Sequence, residues 1–509
     1  MTTKAPMSVM YSKVEQSTPA VTTQVVFIPD NQVNFSYTTT QNIHIPIRTA
    51  VENAFMDGRS SFLRFTVENN ESYDITMDGL ASCLFKRLTI TAGGQTIQNL
   101  PEYNRLCELL QKHFSSDDYF NEMGILSGAR LEHEANYSLF TSDDKKGNNT
   151  IPAKGKKQYT IPLLSGFLMT KLLPLCFMSV ANLNIELLLD DPRNAFIAKH
   201  EATPTMIANE TDPTKKALLQ RKAVLPNALN KIPDINIKQV EYVATIISLR
   251  DNDLVKTIAN IMSSEGLYIN ACDYAVYQNA LLGNGTLVGG SGSFDTVIPD
   301  RSQSTKAFLN CFYRQQPSIH HTNLQSMVAG TTGYSMEIGG VSYPQGRNIE
   351  YNTDGRHPSF IHPYLEFQKL VSGGYFNTNT HTNINLTTFT RQNVNNIETN
   401  PEKDGKVVDD NVSTAGAVNT CYEGSFVQTM CVENFHGMGG TESGLNTALL
   451  NVPIVFRVTR DISTFKDTDL TDSTKSATHT AFPNMLMNTY VLYDVVYKLD
   501  NTGLWTVMK

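Results

Sequence analysis

The residue pairs most able to do chemistry are His133-Glu134 and His200-Glu201. Each opens like the zinc-protease pattern HExxH, in which two histidines one helical turn apart hold the metal and the glutamate activates water. Tyr137 and Pro204 stand where the second histidines would be, so neither pair is a metal site as written. Gly289-Gly-Ser-Gly292 has Ser293 where a nucleophile elbow needs glycine. Gly155-Lys156-Lys157 lacks the upstream glycine and the hydroxyl residue of a phosphate-binding loop. The acids of Asp467-Thr-Asp469-Leu-Thr-Asp472 alternate as calcium ligands do, without the glycine and terminal glutamate of an EF-hand, and read as a solvated loop. His320-His321, and His357 with His362, read as hydrogen-bonded structural groups. No catalytic, cofactor-binding or metal residue is expected, and the chain is read as a non-enzyme.

Bulk properties point the same way. At 509 residues the chain exceeds what one hydrophobic core supports, so two domains are expected. Charged residues make up only 18% and the formal charge is −8, which disfavours a sequence-independent grip on nucleic acid phosphates. Seven scattered cysteines (Cys83, Cys107, Cys176, Cys272, Cys311, Cys421, Cys431), with no CxxC pair, read as reduced thiols. No secretory signal is visible at Met1-Thr-Thr-Lys-Ala-Pro6, so cytosolic synthesis is expected, and sequons such as Asn70-Glu-Ser72 and Asn411-Val-Ser413 carry little weight. The apolar stretch Ile161 to Met178 is long enough to cross a bilayer. Pro162, Lys171 and Pro174 interrupt it, and two buried strands joined by a turn are expected instead.

The elements that would carry these residues are mostly strands. Short β-branched and aromatic runs recur at Val33–Tyr37, Ile43–Ile47, Ser61–Val67 and Phe85–Thr91, bounded by turn residues such as Gly93-Gly94. After Pro101, the spacing of Tyr103, Leu106, Leu109, Leu110 and Phe114 predicts a helix capping a sandwich. Strand signals resume at Gln158–Pro162 and at Leu183–Leu189, where Leu183, Ile185, Leu187 and Leu189 share a face. Further strands are expected at Val240–Ser248, Lys306–Phe312, Ser335–Ile338, Val452–Val458 and Thr489–Lys498. Leu88-Thr-Ile-Thr-Ala-Gly-Gly94 followed by a helix is echoed by Ser335-Met-Glu-Ile-Gly-Gly340 followed by a helix over His357–Val371, which suggests two tandem copies of one sandwich. The expected division is an extended arm over 1–30, a first unit over 31–230 and a second over 231–509. Long excursions are placed at 115–158, 275–305 and 373–450.

Three segments resemble the double jelly-roll major capsid proteins of large eukaryotic DNA viruses, virophages and polinton-like viruses. They are Phe27-Ile-Pro-Asp30 through Ile43–Arg48, then Ile90–Ile97 with Tyr103-Asn-Arg-Leu106, and Ile161-Pro-Leu163 with Leu173-Pro-Leu175 and Leu183–Leu187. The resemblance implies an all-β fold of two tandem eight-stranded jelly-roll β-sandwiches with short helices and long loop insertions, the excursions becoming outward towers. It further implies pseudo-hexagonal homotrimeric capsomers tiling an icosahedral double-stranded DNA virus shell. The partners implied are the chain itself as homotrimer, neighbouring capsomers, and penton and minor capsid proteins, with no direct nucleic acid, no transmembrane segment and no cofactor. The virion is the expected location. The alternative is a β-sandwich carbohydrate-binding or adhesion protein, for which Tyr375-Phe376 would be the aromatic platform.

Overall fold

The computed structural model describes residues 20–114, 149–197, 232–281, 291–315, 331–351, 361–372, 426–433, 444–461 and 485–509, apart from a few positions inside these ranges, and isolated residues between them. Up to residue 249 the strands are β1 (Ala20–Phe27), β2 (Asn34–Phe35), β3 (Asn42–Ile47), β4 (Ala54–Asn69), β5 (Ile75–Met77), β6 (Phe85–Ala92), β7 (Gln95–Pro101), β8 (Thr150–Ile151), β9 (Lys156–Ile161), β10 (Leu183–Leu189), β11 (Phe196–Ile197) and β12 (Ile235–Leu249). Beyond it come β13 (Leu267–Leu281), β14 (Ser291–Ile298), β15 (Thr305–Arg314), β16 (Thr331–Ile338), β17 (Val341–Tyr343), β18 (Ile349–Glu350), β19 (Gln428–Cys431), β20 (Ile454–Asp461), β21 (Met485–Leu499) and β22 (Trp505–Met508).

Two pairs of sheets result. One pair runs β1-β12-β4-β9 and β3-β10-β6-β7; the other runs β13-β21-β15-β19 and β14-β20-β16-β17. Setting aside the short accessory strands, each half contributes eight strands in the same order. The first, eighth, third and sixth form one sheet; the second, seventh, fourth and fifth form the other. The correspondence extends to the turns. Gly93 and Gly94 join β6 to β7 with φ of 61° and 80°, and Gly339 and Gly340 join β16 to β17 with φ of 61° and 82°. Two successive left-handed residues match the right-handed twist of a tight hairpin, and glycine adopts them without a Cβ clash. The helices Tyr103–Phe114 and Ile361–Ser372 then occupy equivalent places between the fifth and sixth strands.

The cores follow from side-chain alternation. In β10, Leu183, Ile185, Leu187 and Leu189 are buried while the residues between them are half-buried, as period-2 geometry requires. Phe65 and Phe85 meet edge to face across the first sandwich, with ring centroids 5.3 Å apart. In the second, Tyr334 lies 5.9 Å from Phe456 and 6.4 Å from Tyr351.

Four expectations change. β12, expected in the second unit, pairs with β1 and β4 and completes the first sheet, so the change-over falls between Leu249 and Leu267 and not at 230/231. The apolar pattern of a strand marks a buried face, but not which sheet buries it. Of the expected arm 1–30, Ala20–Phe27 is a strand in register with Tyr242–Leu249. Most of its side chains stay exposed. All three stretches expected as excursions carry strands: 275–305 holds the end of β13 and all of β14, 115–158 holds β8 and the start of β9, and 373–450 holds β19. Finally, among the described residues no strand forms between Ile161 and Met178 beyond the end of β9: Phe167, Leu168, Leu173, Leu175 and Met178 are buried in an irregular segment, tied to β4 by an isolated bridge from Leu173 to Met56. Pro162 and Pro174 cannot donate to a ladder.

Candidate assembly unit and the seam between sandwiches

Most of the residues first considered for chemistry fall outside what the structure describes. His133, Glu134, His200, Glu201, His320, His321, His357 and Asp467–Asp472 lie outside the described residues, as does Tyr375-Phe376. His362 is exposed on its helix, 3.9 Å from Glu366. Lys156 and Lys157 open the edge strand β9. Among the described residues no three His, Cys, Asp or Glu side chains gather closely enough to hold a metal ion. None of their helices is long and apolar enough to cross a membrane. The described cysteines are free thiols; burial pushes Cys83, Cys107 and Cys311 well up, and Cys176 to about 11.

What the structure does bring together is a seam between the sandwiches, built from three contacts. The first is aromatic. The irregular segment after β9 inserts Phe167 edge-on against Tyr497 and Trp505, each at 5.1 Å between centroids, and all three are buried. Gly166 precedes it because the backbone of Cys272 passes there: a Cβ at residue 166 would collide with the Cys272 carbonyl oxygen. The turn before β22 continues the contact, with the Ser179 N–H donating to the Gly503 carbonyl at 2.9 Å.

The second contact is polar and centred on Asp273 of β13. Gln98 of β7 donates its amide N–H to the carboxylate and accepts from the Ser165 hydroxyl. The Tyr274 N–H donates at 2.8 Å, and the Tyr493 and Tyr497 hydroxyls at 3.4 and 3.3 Å. Burial raises the pKa of Asp273, opposed by the Tyr274 and Gln98 hydrogen bonds and the charge of Lys509. Burial, reinforced by the Asp273 charge, pushes both tyrosine hydroxyls far up, so they remain donors. The third contact joins the other end. Asp78, fully buried, accepts from the backbone N–H groups of Asn323 (2.5 Å) and Leu324 (2.9 Å), and Asn323 Nδ2 donates to the Arg193 carbonyl at 2.8 Å. Nearby, the Arg105 guanidinium lies 4.4 Å above the Tyr313 ring, a cation–π geometry.

Buried aromatic packing and buried, hydrogen-bonded carboxylates on both sides make this seam resemble a domain interior more than a mobile hinge. None of it was legible as a motif, because Gln98 with Asp273 and Asp78 with Asn323 are distant in sequence. The one available signal was the Gly/Pro punctuation of the apolar run 161–178.

Two sheets ordered first-eighth-third-sixth and second-seventh-fourth-fifth, twice over, decide the architecture. The chain is a double jelly roll. Solved structures share this fold over its full length. PBCV-1 VP54, fitted into a reconstruction of the virophage Sputnik, aligns with a TM-score of 0.55 and 11% identity over 98% of both chains. A chain of the PBCV-1 virus capsid gives 0.53 and 11%, again over 98% of both. A chain of the Sputnik virophage gives 0.54 and 11%, over 99% of this double jelly roll and 91% of that chain. At such identity the likeness is one of fold. No family model and no curated protein sequence matches.

Proposed function

We propose that this double jelly roll is a major capsid protein, forming pseudo-hexagonal homotrimeric capsomers that tile an icosahedral shell of a double-stranded DNA virus. The observation that carries the reading is the fixed pairing of two equivalent sandwiches in one chain, in a fold shared end to end with a PBCV-1 virus capsid chain. Geometry explains why that pairing suits a shell. Three chains about a threefold axis place six similar barrels in a ring, approximating sixfold symmetry by closed assembly. The two barrels must then hold a fixed relation, which the contacts at Phe167, Asp273 and Asp78 supply. The exposed edge strand β1 adds unpaired backbone groups and the outward Val25 and Val26, features suited to lateral contact. On this reading the partners are further copies of the chain, neighbouring capsomers, and penton and minor capsid proteins, and the protein resides in the virion without catalytic activity.

The test is solution mass combined with negative-stain microscopy of the purified protein. The expected particle has three times the 56.6 kDa of one chain and a pseudo-hexagonal outline. A monomer that persists at micromolar concentration would refute the reading.

A further inference from the structure

In the second sandwich a buried lysine lies between two carboxylates. Lys306 Nζ sits 3.2 Å from Asp494 Oδ1 and 3.6 Å from Glu433 Oε1. Lys306 and Asp494 belong to the neighbouring strands β15 and β21, and Glu433 follows β19 on the other side of β15. The group is nearly dry: the side chains of Asp494, Lys306 and Glu433 are 4%, 14% and 19% exposed.

The backbone sets this arrangement. Register between β15 and β21 shifts between Thr305 and Ala307, so Lys306 is the extra residue of a bulge, a device that re-aims a side chain. The Val432 N–H donates to the Lys306 carbonyl at 2.8 Å, which seats Glu433 beside the amine. Asp494 is held twice by Ser304: its N–H donates to the Ser304 carbonyl at 2.9 Å, and its Oδ2 accepts from the Ser304 hydroxyl at 2.6 Å. Its Oδ1 also accepts from the Cys272 thiol at 3.4 Å. Burial lowers the pKa of Lys306, but neighbouring anionic groups, Asp494 and Glu433 among them, more than restore it. The resting group is therefore an ion pair with a second carboxylate, and burying charge is costly even when it is paired. An amine held against a carboxyl group and shielded from water is also in near-attack geometry for condensation. Forming the amide removes two of these three buried charges.

We propose that Lys306 and Asp494 condense to an intramolecular isopeptide bond, with Glu433 carrying the protons. The ion pair first exchanges a proton, giving a neutral amine and a carboxylic acid protonated on Oδ1. Nζ attacks Cγ, the C–N bond forms, and the charge developing on Oδ2 is met by the Ser304 hydroxyl. Glu433 takes a proton from the nitrogen and passes it to the Oδ1 hydroxyl, and the Cγ–Oδ1 bond breaks to release water. Glu433 ends as the carboxylate it began as, and no oxidant or other reactant is consumed. The bond joins adjacent strands of one sheet, so β21 can no longer peel from β15 at that point.

The experiment is intact mass spectrometry of the full-length protein, followed by tryptic peptide mapping. The expected mass is one water below that of the sequence, carried by a branched peptide joining position 306 to position 494, with no cleavage after Lys306. Lys306→Arg keeps a cation beside the two carboxylates and should show the full mass of its sequence. Glu433→Gln should link about a hundredfold more slowly, the usual share of a general acid–base group. Full mass, with Lys306 and Asp494 recovered in separate linear peptides, would leave an ion pair only and overturn the proposal. So would a missing water mapped elsewhere, such as a ring closed between Asp494 and its own backbone, or one that persists in Lys306→Arg. Linkage at an undiminished rate in Glu433→Gln would overturn the role given to Glu433.

Discussion

Replacing Phe167 with alanine tests whether the seam is structural in energy as well as in geometry. The ring is fully buried and touches Tyr497 and Trp505 edge to face, at 5.1 Å in both cases. Truncating a buried phenylalanine costs about 3–5 kcal/mol when the surroundings cannot collapse into the space. Collapse is blocked here, because the Cys272 backbone abuts Gly166 and Tyr497 is held through its hydroxyl by Asp273. Each edge-to-face pair contributes about 0.5–1.5 kcal/mol of this. A loss near 4 kcal/mol is a factor of roughly a thousand in the folding equilibrium. Because the lost contact joins two bodies, the variant should also lose cooperativity: one unfolding transition in urea should become two, one per sandwich. Tryptophan fluorescence reports the second sandwich through Trp505, and circular dichroism reports both. In a double-mutant cycle with Trp505→Leu, the coupling should be about 1 kcal/mol. A loss below about 1 kcal/mol, less than any fully buried phenylalanine should cost, with a single unchanged transition, would refute the reasoning.

Two further outcomes follow from the geometry. At Gly94 and Gly340 a Cβ meets nothing within 4 Å, so substitution acts through positive φ alone; Gly94→Ala and Gly340→Ala should each cost about 1–2 kcal/mol in chemical denaturation, and by similar amounts, because the two hairpins are equivalent. Asp273 has a pKa raised by burial, so the folded state holds a proton that the unfolded chain releases near pH 4; its contribution to stability is present below that pH and is lost as pH rises through its folded pKa. Asp273→Asn should therefore flatten the fall in stability across that interval, measured by urea titrations at a series of pH values, and an unchanged slope would show that the carboxyl is not the titrating group.

The sandwiches were readable because their determinants are local. Leu183–Leu189 alternates, the glycine pairs before β7 and β17 permit only a tight turn, and the Tyr103–Phe114 face has helical period; each survives intact in the structure. The glycine echo at 93–94 and 339–340 was the fragment of sequence that disclosed the repeat, since it is a backbone requirement and cannot drift as side-chain identities do. The boundary was not readable. β12 looks like any buried strand, and only its pairing with β4 shows which sandwich it completes. The seam was hidden for a related reason: a glutamine, an aspartate and a phenylalanine with no shared period acquire their roles only when two finished folds meet. In Ile161–Met178 the apolar composition marks burial, while Pro162 and Pro174, which cannot donate to a ladder, keep the buried segment irregular.

The strand Trp505–Met508 gives the molecule an order of events during synthesis. Every strand of the first sandwich is complete once Leu249 has been made, so that half can close while the rest of the chain is still being translated. The pocket around Phe167 stays open until Tyr497 and Trp505 arrive, more than two hundred residues later. A ribosome that stalls or a protease that clips before residue 497 therefore releases a chain with an exposed phenylalanine and loosely tethered halves. Such a product is recognisable to chaperones. Cover for Phe167 therefore comes only to chains translated through Trp505.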